Sequence, residues 1–134
     1  MCHRCPLLLV FAFAAIVGCS NSELVPLTGK VTLDGAPLPI AIITFMNVSN
    51  GPSGYGSMEG NGEYFAKTGS QSGLMPGDYR ISVVAYQPEK VVDRTHAKPM
   101  KVIAPERYAN PETSGFRYTL KPSGGNFDME LTSK

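Results

Sequence analysis

The sequence predicts an all-β protein, and three features of its 134 residues support this prediction. No window shows a sustained apolar repeat of about 3.6 residues, so long helices are not expected. Short runs of β-branched and aromatic residues are separated by turn signals, and the chain contains 14 glycines and 11 prolines. Apolar and polar residues alternate within several runs. We therefore predict a β-sandwich of seven or eight strands over residues 27–134.

The first strand and its turn form a clear local signal. Residues 27–33 (L-T-G-K-V-T-L) alternate in polarity, as expected for a strand with one buried face. Asp34-Gly35 follows directly, and this dipeptide is a strong signal for a tight hairpin. Pro37 and Pro39 restrict the next residues to an edge strand or extended coil, because proline cannot donate to a ladder.

The middle of the domain supplies three more strands. Residues 40–48 (I-A-I-I-T-F-M-N-V) are dense in apolar side chains, which indicates a central position in the sheet. A short strand over 55–59 and a strand over 63–68 are joined by a tight turn at 59–62. The Gly-Asn-Gly sequence of this turn tolerates a positive φ.

The remaining strands are predicted from alternation and from the turns between them. Residues 79–86 (Y-R-I-S-V-V-A-Y) place alternate apolar side chains on one face, and a turn over 74–78 leads into them. Residues 116–121 and 126–131 also alternate. They are joined by a Pro-Ser-Gly-Gly connection, which is typical of a turn.

Residues 87–115 are predicted to be a long irregular connection. Charges alternate in sign over residues 89–101, and residues 105–109 are compatible with one helical turn that has proline at its first position. A connection of this length in a compact domain is either functional or mobile.

The same connection carries the candidate binding residues. Arg107, Tyr108 and Asn110, together with Tyr118 from the following strand, are placed to present aromatic and polar groups to a glycan or peptide. In the alternative interpretation, Tyr108 fills the open end of the sandwich and fixes the connection, because X-Pro steps and a buried ring order a loop.

Residues 1–18 are predicted to be a secretory signal peptide. A short basic start precedes an apolar run over residues 7–17. This run fits the ~7–15 residues of a signal-peptide core and is shorter than the ~20 that a membrane-spanning helix needs. It ends in I-V-G-C, which resembles the bacterial lipobox. In that motif the cysteine is acylated, for example with palmitate, and becomes the first mature residue. We therefore expect lipid on Cys19 and a short tether over 19–26.

Cysteine and charge counts restrict the class of protein. Of three cysteines, Cys2 and Cys5 lie in the predicted signal and Cys19 would carry lipid, so none remains for a disulfide. Removing Arg4 with the signal leaves eleven basic and eleven acidic residues. A neutral domain argues against nucleic acid and against electrostatic adsorption to anionic lipid. Acyl chains would instead hold it on a membrane, at about 0.8 kcal/mol per buried CH₂.

No catalytic or metal-binding constellation is visible in the sequence. His96 is the one histidine left after removal of the signal, and nothing at ligand spacing accompanies it. We therefore expect no metal and no cofactor. A single histidine gives no choice of base for a Ser-His-Asp triad, and nothing resembles a nucleophile elbow. We expect a protein that is not an enzyme.

The order and spacing of the turns resemble a known family. Residues 29–45 (G-K-V-T-L-D-G-A-P-L-P-I-A-I-I-T-F) resemble the opening of transthyretin-like and carboxypeptidase-regulatory-like domains. Residues 60–64 (G-N-G-E-Y) and 74–79 (L-M-P-G-D-Y) match that family's D-x-x-G-x-Y and L-x-P-G-x-Y turns. Residues 103–115 are similar to the tail of small bacterial lipoproteins with one such domain, which carry I-P-x-x-Y-x-x-P-x-T-S-G before two final strands.

This resemblance implies a transthyretin-like (prealbumin-like, Ig-like) β-sandwich and a lipoprotein. It implies little about activity, because such domains serve as stabilising, spacing or binding modules.

The sequence thus predicts a membrane-anchored cell-envelope lipoprotein whose sandwich is a non-enzymatic structural or interaction module. One alternative is an extracellular glycan- or peptide-binding protein that uses residues 89–115, and another is a hydrolase. The expected partners are the membrane, through the N-terminal lipid, and an envelope protein or glycan. Ser20 after the cysteine is compatible with outer-membrane sorting, under the rule that Asp at that position retains a lipoprotein at the inner membrane.

Overall fold

The computed structural model describes residues 23–88 and 100–134, and it confirms the all-β prediction. The predicted signal peptide, Cys19 and His96 lie outside the described residues. The strands form one strongly curled sheet that is consistent with a β-sandwich.

The described residues contain ten strands, seven of them longer than two residues. They are β1 (Leu27–Leu33), β2 (Ala36–Pro37), β3 (Ala41–Asn47), β4 (Gly54–Met58), β5 (Glu63–Thr68), β6 (Gln71–Ser72), β7 (Gly77–Ala85), β8 (Phe116–Leu120), β9 (Gly125–Asn126) and β10 (Met129–Leu131).

The sheet runs in the order β10-β1-β5-β4-β3-β7-β8, and most neighbours are antiparallel. Strand β3 lies between β4 and β7 and pairs with β7 over its whole length, from Ala41 opposite Ala85 to Asn47 opposite Tyr79. This confirms the central position predicted from its apolar density. Strand β1 differs from the rest because it pairs in parallel with both β9 and β10.

Strand β1 follows the predicted alternation and ends in the predicted turn. Leu27, Gly29 and Val31 are buried on one face. Asp34 and Gly35 both have positive φ, 50° and 83°, which is the backbone geometry of a two-residue hairpin turn. The turn sends β2 back along the end of β1.

Three aromatic rings occupy the centre of the core. The Phe45 ring lies 5.9 Å from the Tyr64 ring and 6.4 Å from the Tyr79 ring, the latter edge-to-face at 87°. The two tyrosine hydroxyls donate to backbone carbonyls, Tyr64 to Phe127 at 2.5 Å and Tyr79 to Met75 at 2.8 Å. The core is thus apolar, and its buried hydroxyls are satisfied.

The predicted continuous strand over 126–131 is wrong, because the chain leaves the ladder at Phe127 and Asp128, between β9 and β10. The Phe127 carbonyl accepts the Tyr64 hydroxyl, and the Asp128 carboxylate accepts the Lys30 backbone N–H at 2.9 Å. Side chains therefore take both partners of one ladder bond, the bond from the Lys30 N–H to the Phe127 carbonyl. The Phe127 N–H still donates to the Thr28 carbonyl at 2.8 Å, and the strand is split into two short pieces.

The two ends of the sheet carry different parts of the chain. At one end, which we call the entry end, Val25 exchanges backbone hydrogen bonds with Leu74, although Val25 belongs to the predicted tether. The opposite or far end carries the Asp34-Gly35 turn and the residues that follow β10. Because β1 advances six residues between these ends, they lie about 20 Å apart.

Candidate functional site

The predicted helical turn is present as a 3₁₀ turn over Glu106–Ala109, and it lies at the far end of the sheet. Tyr108 on this turn is only 6% exposed, and its ring stacks on Phe116 at 5.5 Å and 16°. The Tyr108 hydroxyl accepts the backbone N–H of Thr132 at 3.0 Å. The turn is therefore attached to both the sheet and the segment after β10.

Arg107 adds a second attachment to the same segment. Its guanidinium carbon lies 4.5 Å from the centre of the Tyr108 ring, within the range of a cation–π contact. Its Nη2 donates toward the Thr132 hydroxyl at 3.0 Å and the Lys134 carbonyl at 2.6 Å. The hydrogen bond with the Thr132 side chain is the largest cause that lowers the pKa of Tyr108 below its usual 10.0. The hydrogen bond and the positive charge of Arg107 lower it further.

Asp34 completes this far-end cluster from the β1–β2 turn. Its carboxylate accepts the backbone N–H of Ser133 at 3.0 Å. The hydrogen bonds from Ser133 lower the pKa of Asp34 below 3.8. The 3₁₀ turn, the hairpin turn and residues 132–134 thus form one hydrogen-bonded cap over the far end of the sheet.

The structure separates the other two predicted binding residues. Asn110 ends the 3₁₀ turn, where its side-chain oxygen accepts the Glu112 N–H at 2.9 Å and its carbonyl accepts the Ser114 N–H. Tyr118 lies on β8, with its ring 5.0 Å from that of Phe127. Both residues are thus engaged in contacts within the domain.

The rings of Tyr108 and Tyr118 belong to one aromatic row. Phe116 stacks on Tyr108 and meets Phe127 at 6.3 Å, and Phe127 in turn meets Tyr118. Strands β8 and β10 are the two terminal strands of the sheet order, so this row fills the space where the sheet curls back on itself. These contacts favour the interpretation in which the aromatic residues pack the domain.

A second cluster, on the outer face of the sheet, was not singled out by the sequence prediction. Arg80 on β7 lies directly opposite Arg117 on β8. Their strand neighbours Tyr79 and Ile81 are buried, so Arg80 faces away from the core. Alternation in residues 79–86 and 116–121 already indicated an outward direction for each arginine, but only strand pairing places them side by side.

The two arginines border a groove of about 350 Å³ that is also lined by Val48, Asp78 and Thr119. Glu112, from the segment after the 3₁₀ turn, places its two carboxylate oxygens 2.5 and 2.6 Å from Nη1 of Arg80. Within residues 23–88 and 100–134, no hydrogen bond or ion pair involves the Arg117 guanidinium. We call Arg80, Arg117 and their groove the arginine groove.

Neither cluster has the composition of a metal site. In the described part of the chain, no three His, Cys, Asp or Glu side chains are grouped so that they could hold a metal ion. Over the same residues, none of the helical structure has the length and apolar character needed to span a bilayer.

Comparison with known proteins yielded no match. No family model, no curated protein and no solved structure was found that resembles this chain. The likeness to transthyretin-like lipoproteins therefore rests on the motifs in the sequence.

Proposed function

We propose that this protein is a lipid-anchored cell-envelope lipoprotein whose transthyretin-like sandwich is a non-enzymatic interaction module. The observation that carries the proposal is the opposite placement of the tether and the cap. The chain enters the sheet through Val25, whereas the 3₁₀ turn and the Asp34-Gly35 turn meet about 20 Å away. A lipid on Cys19 would hold the entry end at a membrane and direct the far end outward.

The length of the tether limits how far the domain can stand from the membrane. The hydrogen-bonded Val25 lies six positions after Cys19, and six extended residues span at most ~20 Å. The proposed anchor would therefore keep the module next to the outer membrane, where a partner in the envelope is reached without a long linker. The contacts of the far-end cap support a rigid module rather than a catalytic cleft.

The anchor is tested by metabolic labelling with a clickable palmitate analogue, followed by detergent phase partition. We expect the wild-type protein to carry label and enter the detergent phase, and Cys19→Ala to lose both properties. Cys5→Ala is the matched control, because it removes another cysteine from the same N-terminal region. Label that persists in Cys19→Ala, or is lost equally in Cys5→Ala, would contradict the lipid assignment.

The interaction role is tested by capture of the anchored protein from cells, with Cys19→Ala as the unanchored comparison. Partners enriched on the anchored wild type would support the module. If neither capture enriches a protein over cells that lack this chain, the interaction role is wrong even where the lipid label is present.

A further inference from the structure

The arginine groove places two positively charged side chains, Arg80 and Arg117, directly opposite each other. Like charges directly opposite each other on paired strands destabilise a sheet. Arg80 and Arg117 are such a pair, and Arg80 is about one-third exposed, with 34% of its side chain accessible to solvent. The groove therefore favours an anionic group beside the two guanidinium groups.

Glu112 already places a carboxylate beside Arg80. Its carboxylate contacts Arg80 through a single nitrogen, Nη1. The Glu112 side chain is 56% exposed, and exposed ion pairs contribute only about 0–1 kcal/mol. An incoming carboxylate that reaches both arginines can therefore replace Glu112 at small cost.

The remaining lining of the groove argues for a peptide ligand. The Asp78 carboxylate, which accepts the Thr119 hydroxyl at 2.6 Å, adds a negative charge to the lining, so an incoming carboxylate is attracted to the arginine end of the groove. Tyr79 is buried and the Tyr118 ring contacts Phe127, so the charged and polar side chains form the more exposed part of the lining. Strand β8 is a terminal strand of the sheet order, and extended peptides bind along such edges.

We propose that Arg80 and Arg117 bind a carboxylate side chain from an acidic peptide segment of a partner protein. Glu112 holds this position within the free protein and competes with the partner. The inference rests on the proposed role as an interaction module and assigns its contact surface to the outer face of β7 and β8. It adds a site that lies apart from the predicted residues Arg107, Tyr108 and Asn110.

The test uses the full chain carrying Cys19→Ala, so that lipid attachment has no bearing on the result. Binding of a fluorescein-labelled hexaglutamate peptide is measured by fluorescence anisotropy at low salt, since added salt screens exposed charges. We expect Arg117→Gln to weaken binding about three- to fivefold, as for an exposed ion pair. Glu112→Gln removes the competitor and should strengthen binding by a similar factor.

Lys101→Gln is the matched control, because it changes the net charge equally at an exposed residue outside the groove. Urea unfolding midpoints establish that each variant remains folded. Equal binding by Arg117→Gln and Lys101→Gln would overturn the site, as would Glu112→Gln that binds no better than the parent chain. A hexameric uronic-acid oligosaccharide that binds more tightly than the peptide, with the same dependence on Arg117, would overturn the assignment to a peptide.

Discussion

Replacing Tyr64 by phenylalanine tests how much one buried hydroxyl stabilises the last strands of the sheet. Tyr64 is 2% exposed, and its hydroxyl donates to the Phe127 carbonyl at 2.5 Å. Tyr64→Phe keeps the ring against Phe45 but leaves that carbonyl without this donor. An unsatisfied buried acceptor costs about 1–3 kcal/mol, and because this bond is partly buried we expect about 1–2 kcal/mol.

Urea unfolding measures this cost, with Tyr55→Phe as the matched control. The Tyr55 hydroxyl also donates to a backbone carbonyl, that of Gly69 at 2.9 Å, but Tyr55 is 42% exposed and water can replace the lost bond. With an m value of about 2 kcal/mol per molar urea, Tyr64→Phe should lower the midpoint by roughly 0.5–1 M. Tyr55→Phe should cost less than about 0.5 kcal/mol.

Comparing Tyr64→Phe with Tyr55→Phe separates the effect of burial on stability from the effect of losing a hydrogen bond. Equal losses in the two variants, or no loss in Tyr64→Phe, would refute the reasoning that the Tyr64–Phe127 bond stabilises the break between β9 and β10.

Two further predictions concern the buried tyrosines and the glycine beside Phe127. Burial raises the pKa of both Tyr64 and Tyr79 above 10.0, so the unfolded chain loses these protons first and the free energy of unfolding should fall as the pH rises above about 10. Urea titrations across that range should show a shallower decline in Tyr64→Phe, and an unchanged slope would contradict the assignment. Gly29→Ala should cost about 3 kcal/mol in the same assay, because the added Cβ would overlap the Phe127 carbonyl. Gly35→Ala, whose Cβ meets open space at φ 83°, should cost about 1 kcal/mol, and equal costs would contradict the overlap.

Most of the strands could be predicted from local pattern because their physical causes are local. Strand β1 matches its predicted range, and β3 and β7 begin and end within two residues of theirs, since alternation with one buried face has a fixed period of two. The Asp34-Gly35 turn follows from residues that tolerate a positive φ. The 3₁₀ turn at Glu106–Ala109 follows from the proline before it.

The candidate sites depended on contacts between residues far apart in the sequence. Arg107 and Tyr108 were identified as noteworthy from the sequence, but their attachment to Thr132 follows from the position of the segment after β10. The parallel pairing of β1 with β10 likewise has no signature in either strand alone.

The sequence by itself determined the fold class, the main strands, and the motif from which lipid attachment at Cys19 is proposed, because each depends on neighbouring residues. Tertiary structure alone decided that Gly29 must lack a side chain beside Phe127, and that Arg80 faces Arg117. Alternation shows which way a side chain points, but the register between strands fixes which side chain lies opposite. That register is set by packing of the whole core.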